Sequence, residues 1–140
     1  MEEIILDCTE NILGRLCSYA ARQLKLGKKV ILVNCEKVII IGDEKIVFDR
    51  YVKRTRLGKG AQKGPFFPRG SEQIVRRTVR GMIHFKRASG RDKLKNVICF
   101  NGIPAQYQNK GIKNIGKVDV SSYKSFITME RLSKLLKGKA

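Results

Sequence analysis

The residues of this 140-residue sequence whose types and spacing could do chemistry are its arginines and lysines. They outnumber aspartate and glutamate by 30 to 12, which gives a formal net charge of +18. Guanidinium and ammonium groups bind phosphate or carboxylate oxygens through charge-assisted hydrogen bonds. The composition therefore favours the binding of a polyanion.

The excess positive charge lies in the middle and at the end of the chain. Residues 1–48 hold seven basic and seven acidic residues, residues 49–97 hold 15 and three, and residues 98–140 hold eight and two. A surface that serves only solubility would intersperse the two signs. In the middle segment the cations would repel one another without an anionic partner. The candidate binding residues are Arg54, Arg56, Lys59, Lys63, Arg69, Arg76, Arg77, Arg80, Lys86, Arg87, Arg91, Lys93 and Lys95.

Several other kinds of site are disfavoured by residue spacing. The four cysteines form no Cys-x-x-Cys pair and the chain has one histidine, His84, so we expect reduced packing cysteines and no metal site. The sequence contains neither Gly-x-Gly-x-x-Gly nor Gly-x-x-x-x-Gly-Lys followed by serine or threonine, so we expect no nucleotide cofactor and no small-molecule substrate. The three acids of residues 49–97 are far apart, which disfavours two-metal phosphoryl chemistry.

Membrane binding and RNA enzymology are two alternatives to simple polyanion binding. A membrane span is disfavoured because no apolar run exceeds four residues, whereas a span needs about 20. Binding to a membrane surface is disfavoured because the large apolar residues of the helices are needed to cover the sheet and the chain has no tryptophan. The acidic start of the chain lacks the features of a secretory signal, so we expect a cytoplasmic protein. An RNA-processing or RNA-modifying enzyme would be equally basic and stays the alternative. Glycine-rich loops and arginine-rich helix faces favour folded RNA as the polyanion.

Alternating strands and helices must position the candidate residues. Apolar runs at 4–6, 30–33, 38–41 and 97–100 predict short strands, and the runs at 30–33 and 38–41 are typical of strands covered on both faces. Apolar residues that recur at steps of three and four predict four helices, over 13–24, from 43 to about 58, over 71–83 and over 128–137. The first of these is predicted to end at Gly27. Residues 105–127 have weak periodicity and receive no assignment.

The predicted helix over 71–83 separates core from charge. Its apolar positions cluster on one side, whereas Arg76, Arg77 and Arg80 centre roughly opposite them. A turn predicted at Ser89-Gly90 continues the basic surface beyond this helix. The preceding segment 57–70 is rich in glycine and proline and predicts a basic loop. Its Phe66 and Phe67 either stack on unpaired bases or anchor the loop on the core, and we favour anchoring.

Two stretches of this sequence resemble a known family. Residues 12–42 contain ILGRL, and then VNCEK before an apolar run. Residues 64–104 contain RRTVRGM, a basic glycine-containing segment and NGIP. In this order the motifs resemble the L-thirteen family of large-subunit ribosomal proteins, and the compact length is similar to its archaeal branch. Most relatives have a proline where this chain has His84.

The resemblance implies a fold and a role. The expected fold is α/β, a three-layer α/β/α single domain over residues 1–140 with a small mixed or mostly parallel sheet of about four strands. The expected role is structural, in the large ribosomal subunit, with large-subunit ribosomal RNA and neighbouring ribosomal proteins as partners. Carried onto matching positions, the resemblance places RNA contacts at Arg76, Arg77, Arg80, Lys86, Arg87 and Arg91. Lys59 and Lys63 are included on charge alone.

Overall fold

A parallel sheet forms the framework of the fold. The computed structural model describes residues 2–56 and 67–138. Strand β1 (Glu3–Asp7) is followed by helix α1 (Leu13–Lys25) and by β2 (Lys29–Val33), which pairs with β1 in parallel, Ile5 opposite Ile31. Strand β4 (Val97–Cys99) joins β2, and the two-residue β5 (Ile112–Lys113) joins β1, both in parallel. The strand order is therefore β4-β2-β1-β5.

The other elements lie between and after these strands. A second sheet pairs β3 (Ile39–Ile41) with β6 (Phe126–Thr128) in antiparallel fashion. Helices α2 (Glu44–Arg56), α3 (Ser71–Gly81) and α4 (Ala88–Leu94) connect β3 to β4, and α5 (Met129–Gly138) follows β6 directly. Short 3-10 helices occupy Cys35–Lys37, Ala105–Tyr107 and Val120–Ser122.

One face of the parallel sheet carries the main core. Leu6, Val30 and Leu32 point to this side and are fully buried against the apolar faces of the helices. Helix α1 contributes Leu16, Ala20 and other residues of the predicted stripe, and it ends where expected, with Gly27 in the left-handed region at φ +85°. Burial of one side of each helix therefore determines which residues face solvent.

The opposite face of the sheet is covered by a thinner layer. Ile5, Ile31 and Val33 alternate with the residues of the main core and pack with Tyr107 and Phe100. Tyr107 belongs to a 3-10 helix and its ring lies 5.8 Å from that of Phe100. The expected α/β class with a small parallel sheet of four strands is confirmed.

One expectation about strands needs correction. The run 38–41 was predicted to be covered on both faces, but β3 lies outside the main sheet and the side chain of Ile41 is 39% exposed. The unassigned segment 105–127 contains β5 and two 3-10 helices, each too short to show a hydrophobic period. Most of the predicted loop 57–70 lies outside the described residues, of which 67–70 are irregular and lead into α3.

None of the helices in the described part of the chain has the length and apolar character that a membrane span requires.

Candidate nucleic-acid interface

Helix α3 displays three arginines because its other side is buried. Ile74, Val75 and Val79 have no exposed surface and pack in the main core. At 100° per residue, this burial turns Arg76 to solvent and leaves Arg77 and Arg80 half-buried at the margins of the core stripe. The predicted separation of core and charge on this helix is therefore observed.

The three arginines line one cavity. Arg76, Arg77 and Arg80 surround a cavity of about 200 Å³ together with Pro68, Gln73 and Leu94. The Nη2 of Arg76 donates a hydrogen bond to the carbonyl oxygen of Leu94 at 3.2 Å, which ties the arginine to the end of α4. A guanidinium has five N–H donors, so one bond to a carbonyl leaves others for a ligand. The cavity is thus lined by cations with hydrogen-bonding capacity to spare.

Aromatic rings hold the other guanidinium groups in place. The Cζ of Arg80 lies 4.3 Å from the ring centroid of Phe85, and the Cζ of Arg77 lies 5.7 Å from that of Phe67. Arg54, from the last turns of α2, lies 5.7 Å from the same Phe67 ring and 5.0 Å from that of Tyr51. A contact over a ring face engages the flat side of the guanidinium, whereas its N–H groups point outward in the plane. Contact with the rings therefore stabilises these guanidinium groups while leaving N–H donors for a ligand.

Phe67 packs as an anchor. It is half-buried against the main core, and its ring lies 5.8 Å from that of Tyr51. Burial raises the pKa of the Tyr51 hydroxyl, so this residue stays neutral beside the arginines. The anchoring expected for the aromatic pair is observed for Phe67, whereas Phe66 lies outside the described residues.

The turn predicted at Ser89-Gly90 is wrong, because both residues belong to α4. Gly90 is buried where the helix crosses the chain that follows α3, and a Cβ there would overlap the backbone carbonyl of His84. Glycine is required at this position for close approach and not for a turn. The crossing places Arg91 beside the preceding segment, and its Nη2 lies 3.5 Å from the carbonyl oxygen of Lys86.

A second basic cavity lies where α4 approaches α1. It has a volume of about 320 Å³ and is lined by Lys25, His84, Ser89 and Lys93, with Ile83 and Gly90. The sequence pattern identified Lys93 but not Lys25, which belongs to the last turn of α1. Because Lys25 and Lys93 are far apart in sequence, only the tertiary packing of α1 and α4 reveals this addition to the candidate site.

The predicted site residues differ in exposure. Arg69 is half-buried, and its carbonyl oxygen accepts a hydrogen bond from Ser133 Oγ at 2.7 Å, which joins the segment before α3 to α5. Lys93 is half-buried as well. Lys59 and Lys63 lie outside the described residues. The exposed members are Arg54, Arg56, Arg76, Lys86, Arg87, Arg91 and Lys95.

Carboxylates do not neutralise this surface. Seven salt bridges are present in residues 2–56 and 67–138, and only one of them, Lys95 to Asp92 at 3.9 Å, involves a predicted site residue. Both partners of that pair are highly exposed, where an ion pair contributes little. The positive charge of the α3 and α4 surface is therefore available to a ligand.

The described residues contain no metal-binding cluster. No group of three His, Cys, Asp or Glu side chains in 2–56 and 67–138 is placed to hold a metal ion. Cys8, Cys17 and Cys35 are buried free thiols and Cys99 is half-buried. Burial raises the pKa of the Cys17 thiol, and a hydrogen bond with Cys35 together with burial raises that of Cys8. Cys8 and Cys17 therefore stay protonated and inert as nucleophiles.

Comparison with known proteins identifies the family of the chain. The family model described as Ribosomal protein L13 matches residues 1–106. Large ribosomal subunit protein uL13 of Archaeoglobus fulgidus is 37% identical over 135 residues, covering 94% of this chain and 86% of that protein. The uL13 proteins of Sulfurisphaera tokodaii and Thermoplasma volcanium are 39% and 33% identical, covering 96% of this chain and 94% and 98% of theirs. With these matches across its motifs and its length, the chain belongs to the ribosomal protein L13 family.

Proposed function

We propose that this protein is a structural constituent of the large ribosomal subunit in the cytoplasm and that it binds ribosomal RNA through the surface of α3 and α4. The observation that carries the proposal is the cavity lined by Arg76, Arg77 and Arg80, whose guanidinium groups are held by protein contacts and lack carboxylate partners within 4.0 Å among the described residues. Membership of the L13 family supports the structural role.

Binding follows from charge and preorganisation. Each guanidinium that meets a phosphate forms charge-assisted hydrogen bonds and displaces counterions from the RNA. The rings of Phe67 and Phe85 and the carbonyl of Leu94 already orient the three arginines, so less side-chain entropy is lost on binding. Recognition then depends on whether the RNA backbone matches the spacing of the cations and not on base sequence.

We infer that the protein works without catalysing a reaction. An RNA-cleaving site would need positioned carboxylates or an activated base near the arginines. Glu72, in the first turn of α3, instead accepts a hydrogen bond from Asn101 Nδ2 at 2.7 Å. Incubation of the pure protein with labelled ribosomal RNA and Mg²⁺ tests this inference, because cleaved or modified RNA above the background of a protein-free sample would contradict it.

The proposed site is tested by replacing the three arginines of α3 with alanine. If each contacts one phosphate, the slope of log K against log salt falls by about 2–3 units, at about 0.7–0.9 per contact. Filter binding of the triple variant to large-subunit ribosomal RNA at several salt concentrations gives this slope. In a sedimentation experiment, the native protein should co-sediment with large ribosomal subunits and dissociate from them only at high salt.

A matched control removes the same charge elsewhere. Arg15, Arg22 and Lys113 are exposed and lie on α1 and β5, so their triple alanine variant has the same net charge as the α3 variant. We expect this control to lose less affinity and less salt dependence. Equal losses in the two triple variants would show that binding follows net charge alone and would overturn the site assignment. Far-UV circular dichroism confirms that both variants are folded.

A further inference from the structure

The outer face of the small antiparallel sheet exposes two apolar side chains at one end, Ile41 and Phe126, whereas Ile39 on the same face is only 1% exposed. In the register of β3 and β6, Ile41 lies opposite Phe126 and Ile39 opposite Thr128. Side chains alternate along a strand, so Ile40 and Ile127 point to the main core while these four point away from it. Ile41 and Phe126 are each 39% exposed. The two side chains form a contiguous exposed apolar pair across the strands.

A groove runs beside this pair and has acidic walls. Its volume is about 280 Å³, and Ile39, Val120 and Phe126 supply its apolar lining. The charged lining residues are Glu10, Glu36, Glu130 and Lys37, so carboxylates outnumber cations three to one. Lys117 and Lys134 pair with two of these glutamates from outside the groove, so the negative excess is confined to the groove lining. On a chain of net charge +18, this lining contrasts with the α3 and α4 surface.

The charge of the groove selects its occupant. Carboxylates repel phosphate groups, so RNA is a poor partner for this face. A second copy of this chain would bring another +18 of net charge and suffer general repulsion. We infer that the groove binds a cationic segment of another protein of the large subunit, with a large apolar side chain against Phe126 and lysine or arginine side chains toward the glutamates. This inference rests on the proposed function, which supplies a particle rich in basic proteins.

The glutamates can accept such a partner. Glu10 pairs with Lys117 at 3.6 Å and Glu130 with Lys134 at 3.3 Å, and both lysines are more than half exposed. Exposed ion pairs of this kind contribute little to stability, so a cation of the partner can replace the lysine or share the carboxylate with it. Glu36 is fixed differently, because its Oε2 accepts the backbone N–H of Gly102 at 2.9 Å. It therefore forms a preoriented acidic wall of the groove.

A photo-crosslinking probe at the groove tests the inference. The variant Phe126→p-benzoylphenylalanine keeps an aromatic ring at this position, and the recombinant protein is reconstituted into large subunits that have been washed free of the native protein in high salt. After irradiation, mass spectrometry identifies the adduct. A matched probe, Arg76→p-benzoylphenylalanine, reports the α3 surface. We expect the first probe to crosslink to one ribosomal protein, within a segment that contains lysine or arginine and an apolar residue, and the second to crosslink to RNA.

The outcomes separate this inference from the proposed function. If the protein does not enter the subunits at all, the proposed function fails and the inference fails with it. If it enters and the α3 probe crosslinks to RNA, the proposed function stands on its own. In that case, a groove probe that crosslinks to RNA, to a second copy of this chain, to an acidic segment or to nothing overturns the inference.

A binding measurement then tests the chemistry. A peptide that matches the crosslinked segment is labelled and titrated with the protein in a fluorescence anisotropy assay. We expect Phe126→Asp and Glu130→Lys each to weaken binding at least tenfold, while the controls Phe126→Leu and Glu130→Gln weaken it less. Equal affinity of Phe126→Asp and the parent would overturn the docking site.

Discussion

Replacement of Gly90 by alanine tests how α4 is held against the segment that precedes it. A Cβ at this position would overlap the carbonyl carbon and oxygen of His84, and it would lie 2.9 Å from the backbone nitrogen of Phe85. Backbone atoms cannot rotate away as a flexible side chain can, so α4 or the segment 84–85 must move. Overpacking of this kind costs about 1–3 kcal/mol, and we expect the upper end because the overlap is with backbone.

Helix propensity partly offsets this cost. Alanine in place of glycine within a helix stabilises by about 0.5–1 kcal/mol when no steric conflict exists. The net effect expected for Gly90→Ala is therefore a loss of about 2 kcal/mol. Gly14→Ala is the matched control, because Gly14 is exposed in α1 and a Cβ there meets nothing within 4 Å. This control should gain up to about 1 kcal/mol.

Urea unfolding followed by circular dichroism measures both variants. With a denaturant slope of about 2 kcal/mol per molar for a chain of this size, Gly90→Ala lowers the midpoint by about 1 M. Gly14→Ala should raise the midpoint by a few tenths of 1 M. If Gly90→Ala unfolds at the same urea concentration as the parent, or a higher one, the close crossing of α4 over His84 is refuted.

Two further substitutions test local contacts. Burial acts to raise the pKa of Asp7, but hydrogen bonds from Asn34 and Thr9 outweigh it and hold the pKa below its ordinary value of 3.8. A lowered pKa stabilises the fold above pH 3.8, and this stabilisation is lost as the pH falls through the folded-state pKa. Asp7→Asn should therefore lower the free energy of unfolding by about 1–2 kcal/mol at pH 7 and by less at pH 3, as measured by urea unfolding. Phe67→Ala should lower the free energy of unfolding by about 1–3 kcal/mol and weaken RNA binding. Phe67→Leu should keep most of the stability but lose the contacts of the arginines with the ring. Urea unfolding measures the stability of each variant, and filter binding measures its affinity for RNA.

The long helices were predictable because each repeats its apolar residues over several turns. The predicted stripe of α1 and the stop at Gly27 both appear in the structure, and so does the placement of the three α3 arginines outside the core. These features depend on local periodicity and on the burial of one helix face. No knowledge of the neighbouring elements is needed to infer them.

Features that depend on tertiary contacts could not be predicted in this way. Gly90 suggested a turn, because a sequence shows a missing side chain but not the His84 carbonyl that fills its place. Strand β3 resembled a buried strand, but its partner β6 comes from a segment of three residues without a pattern of its own. Lys25 joins the basic surface only because α1 and α4 meet.

The distribution of acidic residues links the two surfaces of the protein. The described carboxylates that form salt bridges pair mainly with cations outside the predicted RNA site, such as Lys28, Lys110 and Arg131. The three arginines of α3 are instead held by a carbonyl oxygen and by aromatic rings, which orient a charge without neutralising it. Three glutamates meanwhile line the groove beside Phe126. The proposed RNA surface is thus cationic and the lining of the proposed protein groove acidic, so under both proposals a single chain of net charge +18 binds two partners of opposite charge.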